Sequence, residues 1–159
     1  LVFGEGSATA SLVLVGGAPS GEEDLGGRPF VGAVGELLDR ILAAMGFKRA
    51  DVYLCNVLKC RPASEADAAA ASVCRPFLDH QLELIRPKVV VALGAFATRV
   101  LLDDERPLAE LRGRWAERRG LPVLPTHHPA ELLRDPGLKR RVWDDMKLVL
   151  RHLQTEGRP

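Results

Sequence analysis

The sequence predicts an α/β fold, with three layers (α/β/α) around a central, mostly parallel four-stranded sheet. Two observations carry this. Short apolar runs alternate with amphipathic stretches along the chain, the pattern of parallel strands joined by helical crossovers. The most apolar run, Lys88 to Leu93, holds three consecutive valines and reads as a strand covered on both faces. A length of 159 residues suits one domain, since domains cluster at roughly 100–150 residues, and residues 1–159 are read as one.

The elements follow in order. Residues 11–15, Ser-Leu-Val-Leu-Val, form a buried strand ending at Gly16-Gly17. A Gly- and acid-rich loop is expected from Gly16 to Gly32. From Ala33 to Met45, Val34, Leu37, Leu38, Ile41 and Leu42 share one helical face, and Gly46 ends the helix. Residues 51–58 make the second strand. Ser72 to Ile85 is helical up to the Arg86-Pro87 break. The third strand is Lys88–Leu93, and Gly94 leads into a helix through Leu102. Leu121 to Thr126 is the fourth strand, and a last helix opens at Pro136 or Gly137 and reaches about Leu153.

Composition narrows the class. Hydrophobic residues at 47% and charged residues at 27% exclude a disordered tail, a collagen-like repeat and a coiled-coil rod. No apolar run approaches the roughly 18 residues of a membrane helix. The chain opens at Leu1 without an initiator Met, which raises the expectation that an upstream stretch has been removed or left out. The net charge is +1, which by itself argues against a nucleic-acid partner. Its distribution argues otherwise. Residues 1–60 hold 5 basic and 7 acidic side chains and residues 61–110 hold 6 and 8, a net of −2 each. Residues 111–159 hold 11 and 6, a net of +5. That end either faces phosphates or is a solvated Arg face. Three cysteines, Cys55, Cys60 and Cys74, do not make a disulfide framework and suit a reducing cytoplasm.

In parallel α/β sheets ligands bind at the carboxyl ends of the strands. The Gly16–Gly21 stretch lacks the Lys-Ser/Thr ending of a P-loop and the spacing of a dinucleotide fingerprint, but its glycines permit close approach to a flat ligand. Phe30 is either core or a stacking platform. Asn56 ends a strand, where a carboxamide presents donor and acceptor together to a base edge or simply makes a turn. Of the adjacent His127 and His128, one is expected to face the crevice, because neighbouring strand side chains point to opposite faces; a two-His metal chelate is not expected.

The strings GGAPSGEEDLGGRPFVG, CNVLKCRP, RPKVVVALG and PTHHPAELLRDP stand in this order, followed by a Lys/Arg-rich terminal helix with Trp143. Together they resemble the bacterial and archaeal family-four, iron–sulfur uracil-DNA glycosylases over essentially the whole chain. The resemblance implies a base-excision repair enzyme that flips uracil, or another deaminated base, out of DNA and hydrolyses its N-glycosidic bond. It implies that Phe30 stacks on the base, Asn56 pairs with its polar edge, and the backbone of Gly16, Gly17 and Ala18 closes the pocket. His128 matches the family's His-Pro motif and would stabilise negative charge on the leaving uracil. Pro129, Ala130, Leu132, Leu133 and Arg134 match a segment entering the minor groove, with a Leu wedge, leaning to Leu132, in the gap left by the base. Ser20 is placed with this DNA-contacting set. A monomeric, nucleoid-associated cytoplasmic protein with DNA as partner and no membrane is implied.

The sequence departs from the family twice. The family's motif Glu, which helps position or activate the attacking water, is Gly17 here, and the motif's last glycine is Ser20. Glu22, Glu23 or Asp24 either substitutes for the missing Glu or only caps the loop. Reduced activity or altered base preference is therefore expected, and a binding relative without catalysis is the rival reading. A nucleotide-binding domain without a repair role, argued from fold alone, ranks last. The second departure concerns the [4Fe–4S] cluster of the family, held by four thiolates. Cys60 and Cys74 match two ligands, and two more are expected upstream of Leu1 in the full-length protein; otherwise the cluster is absent and the pair vestigial.

Overall fold

The computed structural model describes residues 1–59 and 68–156. Strand β2 (Leu12–Gly16) is buried at every position, and its alternation divides the core in two. Leu12 and Leu14 join the layer built from helices α2 (Gly32–Met45), α6 (Pro129–Arg134) and α7 (Lys139–Glu156). Val13 and Val15 join the layer of α3 (Ala68–Ile85) and α4 (Ala95–Leu102) on the opposite face. The three-layer arrangement stands.

The described residues form a six-stranded sheet rather than four. Its centre is the expected parallel set: β3 (Tyr53–Asn56), β2, β4 (Val89–Leu93) and β6 (Leu121–Thr126). Two antiparallel strands flank it, β1 (Glu5–Gly6) against β3 and β5 (Ala116–Arg118) against β6. With two and three residues and little apolar content, these edges have no periodicity to read. The register aligns Gly16 with Asn56 and Leu93 with Thr126. The carboxyl ends of the central strands thus open on one edge, which positions the site.

Other differences are local. The expected Gly16–Gly32 loop contains helix α1 (Gly21–Gly26), capped by Ser20. Helix α3 begins before Ser72 and accommodates Pro76 in its interior. Residues 49–51 form a 3₁₀ turn, so β3 is shorter than 51–58. A short helix α5 (Leu108–Leu111) precedes β5, and a 3₁₀ turn over Pro136–Leu138 precedes α7. No helix among the described residues is long and apolar enough to cross a membrane.

Candidate active site

The site is assembled around a residue with no side chain. A Cβ on Gly16 would lie 2.5 Å from Asn56 Oδ1 and 2.9 Å from Phe30 Cζ, so only glycine lets both groups reach the end of β2. The loop is pinned there by its backbone: Val57 N–H donates to Gly16 O at 2.8 Å and Leu58 N–H to Gly17 O at 3.0 Å.

Phe30 is 1% exposed and adopts φ 51°, a left-handed conformation unusual for an aromatic residue. Such a residue carries strain of about 1–3 kcal/mol and persists only where its surroundings fix it. They do so here. Phe30 N–H donates to Glu23 Oε1 at 2.9 Å, and Arg49 donates to the carbonyls of Phe30 at 3.0 Å and Pro29 at 2.8 Å. Arg49 is itself held by Glu5 and Asp39. The Phe30 ring belongs to the core, its centroid 5.7 Å from that of His128.

Asn56, 1% exposed, donates from Nδ2 to Glu23 Oε1 at 3.2 Å. The Asn56 backbone carbonyl accepts from the buried Lys59 ammonium at 2.7 Å, which Gln81 anchors at the same distance. Burial pushes the Lys59 ammonium below its ordinary range. Glu23 therefore joins two expected base-contacting residues. Its second oxygen accepts from Ser20 N–H at 3.1 Å, and Ser20 Oγ accepts from Glu23 N–H at 3.2 Å, a reciprocal capping box. Three N–H donors thus occupy the two oxygens of Glu23. Glu22 points at Gly32, with Oε2 2.5 Å from where a Cβ would stand there.

His128 follows β6 and caps α6, accepting at Nδ1 from Ala130 N–H at 3.0 Å. That bond places the proton of the neutral ring on Nε2, leaving one donor. Burial pushes the imidazole below its ordinary value, against the raising influence of the Glu23 and Glu131 carboxylates, while Arg134 lowers it further. The close approach needs Gly94, whose φ is 92° and whose Cβ would be 3.2 Å from that of His128. Glu131 Oε2 accepts from His128 N–H at 3.0 Å and faces His127 Nδ1 at 3.1 Å. One carboxylate oxygen thus ties the two histidines together, and no group of three or more potential metal ligands occurs among the described residues.

Gly17 is half-buried, with Phe96 Cδ1 3.0 Å from where its Cβ would stand, and Ala18 lies beside it. The segment expected to enter the minor groove divides by burial. Pro129 is buried, and Leu132, the residue leaned to as wedge, is 1% exposed and packs in the core between α2 and α7. Leu133 is 46% exposed, and Arg134 is exposed beside it. The basic C-terminal region is also partly internal: Arg112 pairs with buried Asp145, and Arg118 with buried Asp79. Asp145 also accepts from the Thr126 hydroxyl at 2.6 Å, fixing the end of β6 just before the histidines.

The expected cluster ligands do not come together among the described residues. Cys60 lies outside them, and Cys74 is half-buried on α3. Cys55, the third cysteine, is buried between β3 and the α3–α4 layer, its thiol pushed up to about 11 by burial. Of the two cysteines matched to cluster ligands, Cys74 alone lies among the described residues.

Arg49, Glu131 and Asp145 escaped the sequence reading as site-building residues. Glu23, expected either to substitute for the missing Glu or to cap the loop, does cap it, and Ser20-x-x-Glu23 has capping-box spacing as its signal. Arg49 and Asp145 act across 19 residues each, on Phe30 and Thr126, and had none.

Comparison with known proteins identifies the family. The family model described as the Uracil DNA glycosylase superfamily matches residues 3–147. The chain is 40% identical to the type-4 uracil-DNA glycosylase of Thermotoga maritima, over 99% of this chain and 85% of the relative. It is 39% identical to that of Archaeoglobus fulgidus, over 93% and 79%, and 36% identical to that of Sulfurisphaera tokodaii, over 93% and 72%.

Proposed function

The chain belongs to the type-4 uracil-DNA glycosylase family, and from that premise we propose that it excises uracil, or a related deaminated base, from DNA. The observation that carries this reading is the convergence of Phe30 and Asn56 on Gly16, which has no side chain to hold them apart, with the Phe30 ring 5.7 Å from that of His128. A base inside a duplex is out of reach, so the target is extruded first. Phe30 stacks on it, Asn56 pairs with its polar edge, and the Gly16–Ala18 backbone closes the other side. As the glycosidic bond breaks, the sugar becomes oxocarbenium-like and the base takes up the bonding electrons. The His128 Nε2–H donates to the oxygen where that charge develops; removing one such donor typically slows a reaction about 10²–10³-fold. Leu133 fills the vacated stack, and Arg134 with the exposed cations of α7 holds phosphates.

Water then attacks the anomeric carbon, and the proton it loses is taken up by solvent or by the released uracil anion. Gly17 offers no carboxylate, and Glu23 is committed to its N–H donors. Hydrolysis proceeds without the general-base help that is worth typically about 10²–10⁴-fold, so a slow glycosylase is expected. The test is single-turnover incubation with a uracil-containing oligonucleotide, followed by alkali. Strand cleavage at the uracil is the expected result. Tight binding without abasic sites would overturn the enzymatic reading in favour of a binding relative.

A further inference from the structure

We propose that an apolar slot between α2, α6 and α7 is a second base-binding subsite, where Trp143 stacks on an unpaired nucleobase next to the target in single-stranded DNA. The inference rests on the reading that the chain binds uracil-containing DNA. Trp143 has no part in the site described above. It is 37% exposed on α7 and lines a cavity of about 120 Å³ together with Leu37, Ile41, Leu132, Lys139 and Val142. Leu132 and Val142, 1% and 2% exposed, make the floor, and Trp143 and Lys139 stand at the rim. An apolar cavity of roughly 150 Å³ stays dry and takes a benzene ring. This slot is therefore of a size for one flat ring, and its only charged lining group is the Lys139 ammonium.

The slot adjoins the surface proposed to meet DNA. Leu132, in its floor, lies four residues after His128, about 6 Å of helix rise, and the exposed Leu133 follows it. Leu37 comes from α2, which begins just after Phe30. Along α7, Lys139, Trp143 and Lys147 recur every four residues and share one face, an aromatic ring between two cations. Arg134, Lys139, Arg140 and Arg141 are exposed and pair with no carboxylate among the described residues, whereas Arg112 and Arg118 are each bound to a buried aspartate. The acid next to the ring, Asp144, is matched by Lys147 at 3.2 Å. An aromatic face among unmatched cations holds single strands without reading their sequence: the cations follow the phosphates, and the ring stacks on whichever base is splayed out. In a duplex the neighbouring base stays paired, with both of its faces covered by the stack. The slot therefore takes a base from a single strand and none from a duplex.

The test measures affinity for an oligonucleotide carrying 2′-fluorinated deoxyuridine, in which the fluorine blocks cleavage, both as a single strand and as a duplex. Trp143→Leu keeps an apolar side chain over the floor but removes the flat face, and Trp143→Phe keeps a smaller ring. Trp143→Leu should weaken single-strand binding at least about fivefold and leave duplex binding within about twofold, and Trp143→Phe should recover most of the loss. Equal losses on both DNAs, or recovery by Leu as complete as by Phe, would overturn the proposal, since a merely structural role gives those results. Should the Trp143 variants not fold, Trp115→Phe still decides, because it leaves Trp143 as the only tryptophan. Its emission should be quenched by the single strand and not by the same strand with abasic residues on both sides of the target. Equal quenching by the two strands overturns the subsite. Uracil excision by the wild type separates the two levels: its absence beside flank-dependent quenching removes the enzymatic reading alone, while excision without such quenching removes the subsite alone.

Discussion

Replacing Gly17 with Glu should raise the rate of uracil excision, and the structure sets the size of the effect. Gly17 is not among the glycines with positive φ, so an L-side chain fits the backbone there. The obstacle is Phe96, whose Cδ1, Cβ and Cγ lie 3.0, 3.4 and 3.6 Å from the new Cβ. Carbon atoms pack best at about 3.5–4.0 Å, so the ring edge must retreat by roughly half an ångström or more. Phe96 is half-buried, with the Arg99 guanidinium 5.5 Å over its ring, and has solvent on one side into which to move. An off-rotamer shift of this kind costs about 0.5–1.5 kcal/mol, at most about one factor of ten. Against it stands the general-base contribution of about 10²–10⁴-fold. A net acceleration of at least about tenfold is therefore expected in single-turnover excision.

The controls decide what the acceleration means. Gly17→Gln places the same bulk against Phe96 without a base, and Gly17→Ala tests the Cβ alone. Water activation through this position is refuted if the Gly17→Glu and Gly17→Gln variants react at the same rate. It is refuted equally if Gly17→Glu gives no gain while both variants melt like the wild type. Adding Phe96→Ala to Gly17→Glu separates a steric failure from a chemical one, because it removes the ring that the new side chain would strike.

The remaining predictions concern the rest of the site and its support. His128→Ala should slow single-turnover excision by about 10²–10³-fold while leaving duplex affinity largely intact. Because burial holds the folded His128 below 6.5, the unfolded chain binds a proton that the folded one lacks as pH falls past that value. Stability from this group is full above pH 6.5 and is lost on acidification, at up to about 1.4 kcal/mol per pH unit, so urea melts of the wild type should weaken more between pH 7 and 5 than those of His128→Ala. Leu132→Ala should destabilise by about 2–5 kcal/mol, whereas Leu133→Ala should change stability by less than about 0.5 kcal/mol and slow excision from duplex more than from single-stranded DNA. Asp145→Ala, which strands Arg112 and the Thr126 hydroxyl, should cost about 3–5 kcal/mol in chemical denaturation.

The contrast between Leu132 and Leu133 shows where sequence reading stops. The four central strands were legible because burial on both faces writes an unbroken apolar run, as in Val89–Leu93. The site loops were legible because topology places them at strand ends. Two adjacent leucines in Pro-Ala-Glu-Leu-Leu-Arg carry no such mark. Which one enters the core depends on the helical phase of α6 against α2 and α7, and that phase is set by His128 and Glu131 at its first turn. Helix α1 is the same problem in another form. Its six residues contain one leucine, 92% exposed, so no hydrophobic period announces it, and only the Ser20–Glu23 spacing does.

Charge illustrates the other limit. The +1 total and the +5 of residues 111–159 are sums over side chains whose partners the sequence does not show. Arg112 and Arg118 count toward the basic end, yet each is bound to a buried aspartate and offers its charge to the fold before any phosphate. Arg134 and the exposed cations of α7, Lys139, Arg140, Arg141, Lys147 and Arg151, remain at the surface beyond Leu133. Glu23 inverts the case. Counted as one of seven acids in the first 60 residues it argues against a nucleic-acid partner, yet it holds Phe30 and Asn56 in the positions proposed to read a base. Charge at a recognition site thus has to be assigned residue by residue, by what each group binds, before its sign says anything about the ligand.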